Sequence, residues 1–211
     1  MTAHGDEQKE RNSMQGMRLW MATIEIRLPE WIGVMVAERG EGLTTVESRM
    51  RLVIKLARAN VERRTGGPFG AAVFEADSAR LVGAGVNLVE ASNCSFAHAE
   101  MLAIATAQQA LGRYDLGGGK AIYELVTSAE PCAMCLGAIP WSGVRRVVCA
   151  ARGEDACAIG FDEGAKPADW VGELRQRGIE VLRDVLREEA RAVLHEYTQT
   201  GGLIYNARQA S

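Results

Sequence analysis

The stretch IYELVTSAEPCAMCLGAIPWSGVRRVVCA, residues 122–150, decides how this chain reads. Ile122 to Thr127 is an apolar run that predicts a strand, a short helix starts at Cys132, and Val144 to Ala150 predicts a further strand. The same alternation extends in both directions. Upstream, Ala97 to about Leu111 predicts a helix, and before it Gly70 to Phe74 and Leu81 to Val89, separated by Asp77-Ser78, predict a hairpin. Further upstream, Thr44 and Glu47 fit a capping box for a helix with Met50, Val53, Ile54, Ala57 and Val61 on its apolar face, ended by Gly66-Gly67-Pro68. Downstream, Pro167 to Arg177 predicts a helix and Ile179 to Leu182 a strand; Leu186, Ala190, Val193, Leu194 and Tyr197 form the stripe of a last helix. Strands alternating with helices after an opening hairpin predict one α/β domain, a mixed sheet covered by helices on both faces.

The chain has 211 residues, 47% hydrophobic and 24% charged, the balance of an ordinary globular domain. Its longest uncharged stretch, Pro131 to Val144, is 14 residues, too short for a membrane helix. The early apolar run, Leu19 to Ile24, is too short for a secretory segment, so the chain is expected to be cytoplasmic. Residues 1–28 read as an N-terminal extension, 29–200 as the domain, and 201–211 as a tail released by Gly201-Gly202. The formal net charge of −3 exerts no general pull on nucleic acid or membrane. Arg51, Lys55, Arg58, Arg63 and Arg64 could form a local basic face, although such a run reads first as solvated helix surface. Gly117-Gly118-Gly119 lacks the spacing of a phosphate loop and reads as a connector.

Five cysteines in such a chain favour metal ligation or burial over disulfides. Cys149 and Cys157 read as packed residues, and Trp170 as core. His98, Cys132 and Cys135 are the remaining pattern: each half opens a predicted helix, and cysteines three apart on one turn point the same way. One imidazole and two thiolates suit Zn²⁺, and three protein ligands leave a fourth position for a water ionised near neutral pH. Glu100, two residues after His98, is free to carry a proton from that water to a ring nitrogen and then to a leaving amine. His-x-Glu followed by Pro-Cys-x-x-Cys is the described signature of zinc nucleobase deaminases. The competing reading uses Cys94 as a fourth ligand, making a structural Cys₃His site in a non-catalytic zinc protein.

Gly66 to Ala71, Asn87, His98 to Ala103 and Glu130 to Cys135 together resemble the cytidine deaminase-like superfamily, in the branch of bacterial guanine deaminases and tRNA adenosine deaminases. The likeness runs from about Thr44 to Tyr205. It implies a three-layer α/β/α sandwich with a central five-stranded mixed sheet, a homodimer, zinc on His98, Cys132 and Cys135, proton transfer by Glu100, and a base pocket at Phe69, Asn87 and Ala99. Where the branch often has Asp-Pro-Thr-Ala-His, this chain has Cys94-Ser95-Phe96-Ala97-His98. Gly160 to Gly164, Trp141 and Gly201 to Arg208 look most like the bacterial guanine deaminases, including those that accept ammeline. That likeness makes Trp141 a candidate for stacking on the base and Tyr205 for closing the site, in its own chain or swapped onto a partner. Guanine offers N1–H and its 2-amino group side by side, so a carboxylate can accept from both, a role for Glu163 together with proton transfer during ammonia release. The expected reaction is guanine plus water to xanthine plus ammonia, with tRNA adenosine deamination as the alternative.

Overall fold

A computed structural model of the chain describes residues 24–37 and 42–206. Most of the expected extension, residues 1–23, and the tail beyond 206 lie outside the described residues. Five strands, β1 (Gly70–Glu75), β2 (Leu81–Val86), β3 (Tyr123–Ala129), β4 (Arg146–Ala151) and β5 (Glu180–Leu182), form one sheet in the order β2-β1-β3-β4-β5. β1 runs antiparallel to both β2 and β3, whereas β3, β4 and β5 are parallel, so the sheet is mixed.

The helices are α1 (Glu30–Ala37), α2 (Val46–Glu62), α3 (Val89–Ser92), α4 (Ala99–Leu111), α5 (Ala133–Ser142), α6 (Gly153–Ala158), α7 (Trp170–Gln176) and α8 (Arg187–Gln199). Successive strand residues bury on opposite faces. Ala72, Phe74, Val126, Val148 and Ala150 pack with Met50, Val53 and Ala57 of α2 and with Val193 and Leu194 of α8. Ala71, Val73, Leu125, Val147 and Cys149 pack with Ala103 and Ala107 of α4, Ile139 of α5, and Trp170 and Leu174 of α7. These two cores make the α/β/α sandwich and explain why the central strands are apolar on both faces. Glu124 of β3 is the charged exception, wholly buried; Arg49 Nε lies 2.7 Å from one of its carboxylate oxygens and Arg146 3.3 Å from the other.

Several boundaries differ from the sequence reading. The cap of α2 is Thr45 rather than Thr44: Thr45 Oγ1 accepts from Ser48 N and Ser48 Oγ accepts from Thr45 N, each at 3.1 Å. A serine hydroxyl thus fills the reciprocal role assigned to Glu47. β2 stops at Val86 instead of reaching Val89, because Asn87 Oδ1 accepts the Val89 N–H at 3.2 Å and turns the chain into α3. His98 is consequently separated from β2 by α3 and a loop rather than following the strand directly. α1 and α6 were not anticipated, and Cys157, expected to be packed, is exposed on α6.

The feature that most controls the site is the contact of β2 with α4. A Cβ on Gly83 would lie 2.5 Å from Ala107 N, and one on Gly85 would lie 2.4 Å from Ala99 O and 2.6 Å from Ala103 N. These are backbone atoms, so the helix rests directly on the bare strand and its first turn is fixed in height. Gly85→Ala is expected to lower stability by about 1–3 kcal/mol through overpacking and to reduce zinc retention. Urea denaturation and zinc-to-protein ratio check both outcomes.

Candidate active site

Two helix starts face each other at one edge of the sandwich. His98 is the N-cap of α4 and Cys132 the N-cap of α5, both with extended backbone and neither using its side chain to cap. The side chains instead meet: Cys132 Sγ is 3.4 Å and Cys135 Sγ 3.6 Å from His98 Nδ1. The three ligand atoms lie within 4.8 Å of one another. Tetrahedral zinc bonds of about 2.3 Å to sulfur and about 2.0 Å to nitrogen would separate N and S by about 3.5 Å, so this donor set fits the ion. Cys94 is not in the group; it is half-buried and packs against the α2/α8 core, which removes the four-ligand structural reading among the described residues.

In the metal-free chain the pair of thiols is polarised. The hydrogen bond from Cys135, opposed by burial and aided by His98, brings Cys132 down to about 4, whereas the same bond and burial push Cys135 up. Burial alone would lower His98, but the contact with Cys132 and the charge of Glu100 raise it. Glu100, in the first turn of α4, is pushed up to about 7 by burial and by the neighbouring Cys132 charge. A carboxyl poised there both takes and gives protons near neutral pH.

One cavity brings together Phe69, Asn87, His98, Glu100, Cys132, Glu163 and Tyr205, residues drawn from six separate stretches of chain. Glu163 also rises to about 7, chiefly through burial, although Lys166 Nζ lies 3.5 Å from its Oε2 and favours the charged form. Tyr205 packs edge-on against Phe161 at 5.1 Å, and Phe161 packs edge-on against Phe69 at 5.0 Å. Ala99 is buried in the α4-side core rather than in the cavity wall. Trp141 is not brought to the cavity: it is 85% exposed, beside a separate groove with Leu136, Pro140 and Pro167.

The sequence reading missed Phe161, Glu130 and Asn206 as cavity residues. Asn206 accepts from Asp162 N at 2.9 Å and donates to Gly160 O at 2.7 Å, pinning the tail to the 160–162 loop. Glu130 accepts from Arg183 at 2.6 Å and from Gly153 N at 3.1 Å. A glutamate directly before Pro-Cys-x-x-Cys was the available signal for the latter.

Residues 43–151 match the family described as the cytidine and deoxycytidylate deaminase zinc-binding region. A guanine deaminase of Bacillus subtilis (strain 168) is 42% identical over 117 residues, 56% of this chain and 71% of that protein. The structure of a guanine deaminase from Nitrosomonas europaea is 49% identical with a TM-score of 0.78, covering 84% of this chain and 97% of that one. More distant is the tRNA-specific adenosine deaminase of Bacillus subtilis (strain 168), 37% identical over 50% of this chain and 62% of that protein.

The raised Glu163 gives a pH prediction. Its value in the folded chain, about 7, lies above the ordinary 4.5. Stability from retaining that proton is therefore complete below 4.5 and lost as pH rises through about 7. Glu163→Gln cannot ionise, so the metal-free variant is expected to be more stable than the parent at about pH 8 and similar to it at about pH 4.5. Urea midpoints at the two pH values check this.

Proposed function

As a member of the cytidine and deoxycytidylate deaminase zinc-binding family, this chain is a zinc-dependent hydrolytic deaminase, and we propose that its substrate is the free base guanine. Water would replace the 2-amino group, giving xanthine and ammonia. The observation that carries the reading is Glu163. Its Oε2 is buried at the cavity, with the Lys166 ammonium at 3.5 Å and no closer hydrogen-bond partner among the described residues. A planar amidine edge, N1–H beside an amino group, is the complement of such a carboxylate. Ammeline, a triazine with a comparable amino-amidine edge, fits the same contact.

His98, Cys132 and Cys135 would hold the zinc, which when bound acts as a Lewis acid toward water. Glu100 accepts a proton from the attacking water and delivers it to N3 of the base as C2 becomes tetrahedral. Glu163 hydrogen-bonds N1–H and the amino group; the proton of the hydroxyl added at C2 then passes, with the help of Glu163, to the amino nitrogen, which leaves as ammonia as the C2=O bond forms. In the metal-free chain burial raises both carboxyls, the direction that suits proton exchange near neutral pH. Phe69 and Phe161 supply apolar surface for the ring, and Tyr205, carried on the segment after Gly202, covers it from within the same chain.

The surface favours a small base over an RNA. Arg58 pairs with Glu196 at 3.0 Å, Arg51 lies 3.9 Å from Glu189, and Arg63 lies over the Trp31 ring, so much of the suspected basic face is occupied. Among the described residues no helix is long and apolar enough to cross a membrane. All five cysteines are free thiols, which suits a cytoplasmic setting. Exposed Trp141 and Met134 on α5, beside an apolar groove, support a homodimer formed through that face.

Ultraviolet conversion of guanine to xanthine by the zinc-loaded protein tests the reading. Glu100→Ala is expected to lower turnover by about 10²–10⁴-fold with zinc retained, whereas Cys132→Ala is expected to lose zinc and stability together. Folded, zinc-loaded parent that leaves guanine unchanged would overturn guanine as the substrate. Sedimentation of Trp141→Glu is expected to show a monomer where the parent sediments as a dimer.

A further inference from the structure

Asn60, with Arg49 one of two polar residues on the buried side of α2, is completely buried and lies outside the cavity. Its amide is fully used. Nδ2 donates to Gly67 O and to Asn87 O, each at 2.8 Å, and Oδ1 accepts from Thr65 Oγ1 at 2.6 Å. Gly67 O also accepts from Phe69 N at 2.9 Å, and Asn87 N donates to Phe69 O at 3.0 Å. Asn60 therefore ties α2 to the two backbone segments that carry Phe69 and Asn87.

The consequence falls on the direction of the Asn87 side chain. With its carbonyl held by Asn60, its N–H by Phe69 and its Oδ1 by Val89 N, Asn87 is left with Nδ2 as the group it offers to the cavity. The fit is close: a Cβ on Gly66 would lie 1.9 Å from Asn87 O and 2.9 Å from Asn60 Nδ2. We infer that Asn60 is a positioning residue for base recognition, holding the Gly67 turn and Asn87 in the register that presents the Asn87 amide as a hydrogen-bond donor to a ring or carbonyl acceptor of the substrate. The inference rests on the free-base reading above.

A double-mutant cycle on kcat/KM tests it, with zinc content and melting temperature measured for each protein. Asn60→Ala is expected to lower kcat/KM by about 30-fold when Asn87 is present and by less than about 3-fold in an Asn87→Ala background, because both changes remove the same contact. Equal losses in the two backgrounds, or no loss in either, would overturn the role. A general loosening of the fold gives equal losses and is distinguished in this way. Should Asn60→Ala fail to fold, Asn60→Ser, which keeps one donor, replaces it with the same pattern expected at smaller amplitude. A parent inactive on guanine counts against the substrate reading alone; the cycle run on whichever aminated base the parent deaminates then decides Asn60 by the same outcomes.

Discussion

The rest of the structure depends on bringing two helix N-termini close enough for an imidazole nitrogen to touch two sulfurs. Helix starts carry unpaired N–H groups and partial positive charge, which stabilise thiolate and carboxylate. They also leave the cap side chain free when its backbone is extended, as at His98 and Cys132. The approach is set by what lies beneath. Gly83 and Gly85 let α4 sit on β2 with no side chain between them, and the strand order puts β3, which leads into α5, next to β1. A side chain at Gly85 would displace Ala99, the residue between the histidine ligand and Glu100.

The electrostatics follow from that crowding. Two carboxyls, a histidine and two thiols occupy one poorly hydrated cavity edge, where charge is hard to solvate. Glu100 and Glu163 respond by holding protons to about 7, while Cys132 gives up its own because Cys135 and His98 donate to the sulfur. Zinc suits this arrangement because a divalent cation compensates the negative charge that its ligands must carry. Lys166, between Glu163 at 3.5 Å and Glu130 at 3.9 Å, is a nearby cation that keeps the second carboxyl within reach of ionisation.

The His98, Cys132 and Cys135 cluster and the position of Glu100 beside it were legible in sequence because both depend on local spacing. Spacing on a helical turn fixes which way Cys132 and Cys135 point, and the strand and helix periods fix the layers. What was not legible depends on pairing across distance. Asn60 looked like any residue of an amphipathic helix until its amide met carbonyls 7 and 27 residues away. Phe161 gained a role only when the 160–164 loop folded against Phe69 and the tail. Trp141 is a pocket candidate by its likeness to the guanine deaminases, yet α5 turns it to the outer face. α1 carries a single fully buried side chain, Ile32, too little for a periodic signal. The capping error had another origin: Thr44 and Thr45 are equivalent by type, and only the hydrogen bonds choose between them.

The tail shows how substrate binding and closure share one free energy. Tyr197 donates its hydroxyl to Leu203 O at 2.7 Å and Asn206 clasps the 160–162 loop through two bonds, so the segment is anchored on both sides of Tyr205. Against that anchoring, the Tyr205 hydroxyl is buried without a hydrogen-bond partner among the described residues, while Glu163 Oε2 has the Lys166 ammonium at 3.5 Å. A hydroxyl left so costs about 1–3 kcal/mol. A base that presented a partner to Tyr205 would recover that cost only with the tail in place. On the proposed reading, a bound base would favour the closed arrangement, and its contacts with Tyr205 would help hold the cover in place.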